Sequence, residues 1–179
     1  MTRMPFRSLF VSLSVVAMLL GIGSLAQGQS PPADQKATVH RLVQRFYDWY
    51  LPQAADPHAQ EVVMKAATHG PIPFDPQLVR WLRVDSTANA KAKGEIDGLD
   101  GDPILNAQDP CDKYTVQSVR TEGATFLVDV LGHGGCAAHT KPDVTVELTL
   151  RKGRWTITEF RDPGRGNEGV LPLLKRLHP

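Results

Sequence analysis

An excess of charge of either sign is missing from this sequence of 179 residues, which has 20 lysines and arginines against 19 aspartates and glutamates. Proteins that bind nucleic acid or anionic lipid usually carry a strongly basic segment. The balanced composition therefore gives no electrostatic reason to expect either partner. The sequence also lacks a glycine-rich phosphate-binding loop and the serine, histidine and aspartate order of a hydrolase triad. We expect no cofactor.

Only two cysteines are present, and neither lies directly after the apolar run near the start of the chain. The pattern therefore does not fit a lipid-attached lipoprotein. The run itself, residues 9–20, follows Arg3 and Arg7 and leads into the small and polar residues GIGSLAQGQS. This order is typical of a secretory signal peptide. A membrane anchor is the alternative, because residues 9–25 approach the length of a spanning helix. The glycines and Ala26 favour cleavage.

We therefore predict a signal peptide at residues 1–26, a flexible segment at 27–33 and a single domain at 34–179. The mature chain is expected in the periplasm or outside the cell, without a stable membrane anchor. A domain of this length can bury its own hydrophobic core, and no second domain is required.

Three helices are predicted before residue 95. The first covers about residues 34–51, where apolar side chains recur at spacings of three and four. The second and third begin at the same Asp-Pro signal, at residues 56–57 and 75–76. The second ends at Gly70, and the third frays into the polar residues 85–94. The apolar side chains expected to face the core are Val39, Leu42, Val43, Phe46, Trp49, Tyr50, Val62, Val63, Ala66, Leu78, Val79 and Leu82.

After residue 112 the hydrophobic period changes to two, which predicts two hairpins with two-residue turns. Their strands and turns are residues 113–121, 122–123 and 124–131, then 144–151, 152–153 and 154–160. Residues 170–177, VLPLLKRL, are expected to form a short closing helix. The predicted fold class is α+β, with N-terminal helices packed on a curved four-stranded antiparallel sheet and a short C-terminal helix.

Three motifs resemble the bacterial family called domain of unknown function 3828: FYDWYL at residues 46–51, EIDGLDGDPILNAQD at 95–109 and WTITEF at 155–160. The resemblance covers nearly all of the mature chain. It implies an exported or envelope protein with a nuclear transport factor 2-like, or cystatin-like, cone, a fold that commonly forms homodimers through its open sheet face. No activity is assigned to the family. Gly101 and Ile104 replace the aromatic residues of the family's FDPF form of the loop, so this loop lacks the aromatic wall of that form.

The two cysteines are predicted to form a disulfide. If residues 122–123 are the turn of the first hairpin, the register places Cys111 opposite Gly134, which is two positions from Cys136. The glycines at 134 and 135 allow a bulge that closes this gap. An even number of cysteines in an oxidising compartment favours the bridge.

Metal binding is the alternative for two parts of the sequence. His133, Cys136 and His139 are spaced at three-residue intervals, and zinc accepts imidazole and thiolate ligands, but only three ligands are near and a disulfide consumes Cys136. Four aspartates precede the first strand: Asp97, Asp100, Asp102 and Asp109. Their spacing does not match a calcium loop of the EF-hand type. We expect no metal, and we expect these aspartates to cap and turn the backbone between the helices and the sheet.

A functional role of the same region is the competing hypothesis. A cone fold has its cavity between the curved sheet and the helices, and such cavities combine apolar walls with a few polar groups. The candidate ligand-binding residues are Tyr47, Asp48, Trp49, Asp102, Asn106, Asp109 and Tyr114.

The favoured function is a non-catalytic binding module for a small ligand, a peptide or an envelope protein, because no catalytic constellation is recognisable. One alternative is a small enzyme that uses Asp48 or Asp109 with Tyr114 as an acid–base pair. The other alternative is an inhibitor or immunity-type protein.

Overall fold

Helix α1 spans Ala33–Ala54 and forms one layer of the fold. The computed structural model describes residues 33–55, 62–92, 95–138 and 140–179. The predicted signal peptide and most of the predicted flexible segment lie outside these ranges. Helix α1 extends past its predicted end and includes Pro52 in its last turn. Its buried residues recur at helical spacing and are Val39, Val43, Phe46, Tyr47 and Tyr50.

Two shorter helices follow, α2 at Val62–His69 and α3 at Pro76–Lys91. The predicted start of α2, at residues 56–57, lies outside the described residues. The predicted start of α3 is confirmed, because the Asp75 carboxylate accepts a hydrogen bond from the Gln77 amide at 2.8 Å.

The predicted fraying of the third helix is wrong. Helix α3 continues through the polar residues to Lys91, and Asp85 is buried on its inner side. The helix continues because its polar side chains find hydrogen-bond partners. The Thr87 hydroxyl donates to the Arg83 carbonyl oxygen at 2.8 Å, and the Asp85 carboxylate has partners elsewhere in the fold.

The sheet has five antiparallel strands in the order β1-β2-β3-β4-β5, where four were predicted. The strands are β1 at Lys113–Glu122, β2 at Thr125–His133, β3 at Val144–Arg151, β4 at Arg154–Asp162 and β5 at Glu168–Gly169. Strand β5 has only two residues, which is too short to produce an alternating sequence pattern. A short 3-10 helix at Pro163–Arg165 connects it to β4.

The first hairpin has a register that differs from the predicted one. Glu122 pairs with Thr125, so the turn is Gly123-Ala124 and not residues 122–123. Gly123 has a φ of 58°, a conformation that glycine adopts at little cost. A bulge at Gln117 then moves the pairing by one residue, toward the predicted register.

The second hairpin has the predicted turn at Lys152-Gly153, with Arg151 paired to Arg154. Both turn residues have positive φ, 49° and 76°, as expected for a two-residue hairpin turn. The alternating residues of β3 and β4 then meet the helices. The fully buried residues on this face of the sheet include Val144, Val146, Leu148, Ile157 and Phe160.

Gln44 of α1 covers part of the exposed edge of β1. Its side-chain amide donates to the Tyr114 carbonyl oxygen at 3.0 Å, and its oxygen accepts from the Val116 amide at 2.9 Å. These are the contacts that a neighbouring strand would make. Gln44 therefore ties α1 to the sheet and satisfies backbone groups of an edge strand.

The predicted disulfide between Cys111 and Cys136 is present, with a Cα–Cα distance of 5.0 Å. It joins the segment before β1 to the loop after β2. The loop turns at Gly134 and Gly135, which have φ values of 71° and 66°. Because the Cys136 sulfur is in the bridge, it is not available as a zinc ligand, and His139 lies outside the described residues.

The chain closes with helix α4 at Val170–Leu177, as predicted. Its buried residues are Val170 and Leu174. Helix α4 packs against α3 and β4, so the C-terminal end of the chain lies close to the loop that follows α3.

Candidate functional site

Asp102 organises the aspartate loop, which we define as residues 96–111. One of its carboxylate oxygens accepts hydrogen bonds from the Ile104 and Leu105 amides at 2.7 and 3.2 Å. The other accepts from the Tyr50 hydroxyl at 2.6 Å. Two backbone hydrogen bonds between Asp102 and Ala107 close the turn. Asp102 therefore caps and turns the backbone, as predicted for the four aspartates of the loop. The prediction is wrong for Asp100 and Asp109, whose exposed side chains form no hydrogen bond with the described residues.

Burial raises the pKa values of both Asp102 and Tyr50. Burial raises the pKa of Asp102, while the hydrogen bonds from Tyr50 and from the two amides oppose that rise. Burial and the charge of Asp102 raise the pKa of Tyr50. Tyr50 is fully buried, so it is a hydrogen-bond donor inside the core and no ligand reaches it.

The aromatic residues next to this pair hold the loop against α1. The Tyr47 ring stacks on the Tyr114 ring with centroids 5.7 Å apart. The Tyr47 hydroxyl donates to the Ile104 carbonyl oxygen at 2.9 Å. Both tyrosines are buried, and burial raises the pKa of each. These two candidate ligand-binding residues therefore pack in the core.

Asp85 connects the aspartate loop to the end of the chain. Its carboxylate accepts from the Leu99 amide at 3.0 Å and lies 2.8 Å from Nε2 of His178. Asn89, one turn further along α3, also donates to it at 3.3 Å. Gly98 leaves the necessary space, because a Cβ at that position would collide with the Asp85 carboxylate.

A cleft of about 400 Å³ lies between the aspartate loop and the C-terminal part of the chain; we call it the C-terminal cleft. The loop forms one wall, and the end of β4, the 3-10 helix, β5 and α4 form the other. The lining residues are Gly98, Leu99, Asp100, Gly101, Asp102, Pro103, Asn106, Ala107, Gln108, Arg161, Asp162, Arg165, Glu168, Gly169, Val170, Leu173 and Leu177.

Charges of both signs line the C-terminal cleft. Arg161 forms an ion pair with Glu147 and donates to the Asn167 carbonyl oxygen at 3.2 Å. Arg165 is more loosely held, with 3.4 Å to the Asp162 carboxylate and a side chain that is 72% exposed. On the opposite wall Asp100 is exposed and forms no hydrogen bond with the described residues. The cleft thus offers a guanidinium and a carboxylate that have few protein partners.

Glu159 supports the wall formed by β5 and α4 from behind. Its two carboxylate oxygens accept from the Leu171 amide at 3.1 and 3.2 Å, at the beginning of α4. It also accepts from the Phe160 amide at 2.9 Å. Burial raises the pKa of Glu159 to about 7, and the nearby charge of Glu147 adds to the rise while Arg161 opposes it.

The sequence-predicted site residues do not form one site. Asp102 and Asn106 line the C-terminal cleft. Asn106 has a φ of 52° and donates to the Asp143 carbonyl oxygen at 3.0 Å. Asp48 is exposed on α1, where it accepts from Gln44 at 2.9 Å. Asp109 is exposed without a hydrogen bond to the described residues.

Neither acid–base pair proposed from the sequence is assembled. Asp48 and Asp109 are exposed, whereas the hydroxyl of the buried Tyr114 accepts from the Cys111 amide at 3.4 Å. Trp49 is half-buried and packs against the core without lining the cleft. The aspartate and tyrosine that do meet are Asp102 and Tyr50.

Sequence reasoning missed the part of the C-terminal cleft wall formed by residues 161–169 and predicted only the helix at 170–177. No motif marks the charged residues that come after the last predicted strand, which are Arg161, Arg165 and Glu168. The signal for this wall in the sequence is the predicted closing helix at 170–177.

Comparison of the chain with protein-family models, with curated proteins and with solved structures gives no match. The class that the structure itself defines is an α+β domain with helices packed on a curved antiparallel sheet. Within the described residues, none of the helices is both long and apolar enough to cross a membrane.

Proposed function

We propose that this chain is a non-catalytic binding module that holds a small ligand or a peptide in the C-terminal cleft. The observation that carries the proposal is the cleft itself, whose volume of about 400 Å³ is within the range of small-molecule sites. Apolar side chains such as Leu99 and Leu173 line it beside the charged groups. This mixture is typical of a site that orients a ligand by a few polar contacts.

The state of Asp102 favours binding over catalysis. A general base needs an oxygen that is free to accept a proton from the substrate. The Asp102 carboxylate uses three of its roughly four acceptor sites within the protein, one for Tyr50 and two for backbone amides, which leaves little capacity for a substrate proton. Asp102 therefore serves to fix the shape of one cleft wall.

We also propose that the domain is a nuclear transport factor 2-like cone that acts outside the cytoplasm. The order of helices followed by an antiparallel sheet supports the first part, and the bridge between Cys111 and Cys136 supports the second, because disulfides persist in oxidising compartments.

The test is native mass spectrometry of the protein purified from its own host. We expect extra mass in the non-denaturing spectrum that leaves on denaturation. The double variant Asp100→Ala/Arg165→Ala removes the two cleft charges with the fewest partners, and we expect it to lose most of this extra mass. The matched control, Glu122→Ala/Arg154→Ala, removes one exposed charge of each sign away from the cleft and should keep it.

Two results would contradict the proposed function. A wild-type protein with the same mass under both conditions would mean that no small ligand is retained. Equal loss of bound mass in the cleft variant and in the control would mean that the ligand binds elsewhere.

A further inference from the structure

The outer face of α3 forms a second concave surface, which we call the α3 groove. It has a volume of about 500 Å³ and shares no lining residue with the C-terminal cleft. The groove is lined by Arg80, Arg83, Val84, Thr87, Ala88, Lys91 and Asp97. The α3 members recur at spacings of three and four, so they form one stripe along the helix. The opposite side of the helix carries the buried residues.

Three cations of this stripe, Arg80, Arg83 and Lys91, have no carboxylate within ion-pair distance among the described residues. Arg80 instead lies 5.9 Å from the centre of the neighbouring Trp81 ring. Three arginines of the sheet behave differently. Arg120, Arg151 and Arg161 each have an acidic partner. The α3 groove thus brings together three positive charges that form no ion pair with the described residues, beside the single carboxylate of Asp97.

The shape of the groove favours a chain segment over a small enclosed molecule. From Arg80 to Lys91 the stripe runs about 16 Å along the helix. Its apolar members lie between the cations, and Val84 is 38% exposed. An occupant that matches the stripe therefore carries acidic side chains with apolar residues between them.

We propose that the α3 groove docks an acidic, partly apolar segment of a partner protein. Charge complementarity supports this occupant, because an acidic segment would supply the carboxylates that the three cations lack. A flat anionic membrane fits less well, since the groove is concave and Asp97 places a carboxylate at its edge. This inference does not depend on what the C-terminal cleft binds.

The probe for this proposal is a fluorescein-labelled synthetic peptide with glutamates spaced like the three cations and leucines between them. Binding is measured by fluorescence anisotropy at low and at physiological salt. We expect binding that weakens with salt, because exposed charges are screened. The triple variant Arg80→Gln/Arg83→Gln/Lys91→Gln should weaken binding about tenfold, the combined effect of three exposed ion pairs.

The matched control is Arg41→Gln/Arg45→Gln/Arg154→Gln, which removes the same charge from exposed arginines outside the groove. It should change the affinity by less than about twofold. Circular dichroism should show the same fold for both variants, since all six side chains are exposed.

Three outcomes would overturn the proposal. The first is equal weakening by both triple variants, which would indicate attraction by net charge alone. The second is equal binding of a peptide in which glutamine replaces every glutamate. The third is no peptide binding together with binding to phosphatidylglycerol vesicles that requires the α3 cations, which would assign the groove to lipid.

Discussion

Replacing Glu159 with glutamine is expected to remove a dependence of stability on pH. Glu159 is buried behind β5 and α4, and it accepts the Leu171 and Phe160 amides. Its surroundings include one acid, Glu147, and one base, Arg161, which pair with each other. Glutamine keeps the size of the side chain and an oxygen acceptor, but it does not ionise.

The direction of the effect follows from the pKa of Glu159, which burial raises from 4.5 to about 7. The folded protein therefore binds this proton more tightly than the unfolded chain does. The stabilisation from Glu159 protonation is fully present below about pH 4.5 and is lost as the pH rises through about 7. The difference between the two pKa values corresponds to about 3 kcal/mol in the free energy of unfolding.

Urea unfolding between about pH 5 and pH 8 tests this reasoning. We expect the wild-type free energy of unfolding to fall by about 2.5 kcal/mol over this range relative to Glu159→Gln, because part of the effect lies below pH 5. All other ionisable groups are present in both proteins, so their contributions cancel in the difference. The variant Glu122→Gln, at an exposed position, controls for loss of one surface charge. Parallel curves for wild type and Glu159→Gln would refute the assigned burial of this carboxyl group.

Two further predictions concern the aspartate loop and the disulfide. Asp102→Ala should lower the free energy of unfolding by about 1 to 3 kcal/mol in thermal or urea unfolding, because it leaves buried donors without an acceptor. Asp109→Ala should change it by less than about 0.5 kcal/mol, and a larger effect at 109 than at 102 would contradict the structure. Reducing the bridge between Cys111 and Cys136 should cost about 3 kcal/mol. Thiol labelling of both cysteines in the denatured, unreduced protein would show instead that no bridge forms.

The sequence predicts the parts of the fold that depend on neighbours along the chain. The spacing of apolar residues predicts α1, the Asp75-Pro76 signal predicts the start of α3, and Lys152-Gly153 predicts the turn of the second hairpin. Each of these signals acts within a few residues. The first hairpin has the same kind of signal, a glycine after a charged residue, but Gly123 takes the first position of its turn whereas Gly153 takes the second, so the predicted register of the first hairpin is wrong.

The candidate site depends on contacts between residues that are far apart in sequence. Asp85 belongs to a stretch whose composition favours fraying, and its burial follows from His178 and Leu99, which no periodic pattern connects to it. Glu159 occupies an outward position of an alternating strand and is buried only because β5 and α4 fold over it. Overall charge balance likewise concealed the α3 groove, because a net charge near zero does not show that Arg80, Arg83 and Lys91 lie on one face of the helix.

Helix α3 links the two proposals through its opposite faces. On the inner face, Asp85 accepts from the Leu99 amide, which belongs to one wall of the C-terminal cleft. Asp85 also contacts His178, which directly follows α4 in the opposite wall. On the outer face, Arg83 and Lys91 are exposed and contact neither wall. A change at Asp85 should therefore alter ligand retention without being part of the cleft, whereas changes in the α3 groove should leave retention intact. We therefore expect the two proposed binding sites to be separable, because Asp85 and the groove residues lie on opposite faces of α3 and the helix is buried along only one side.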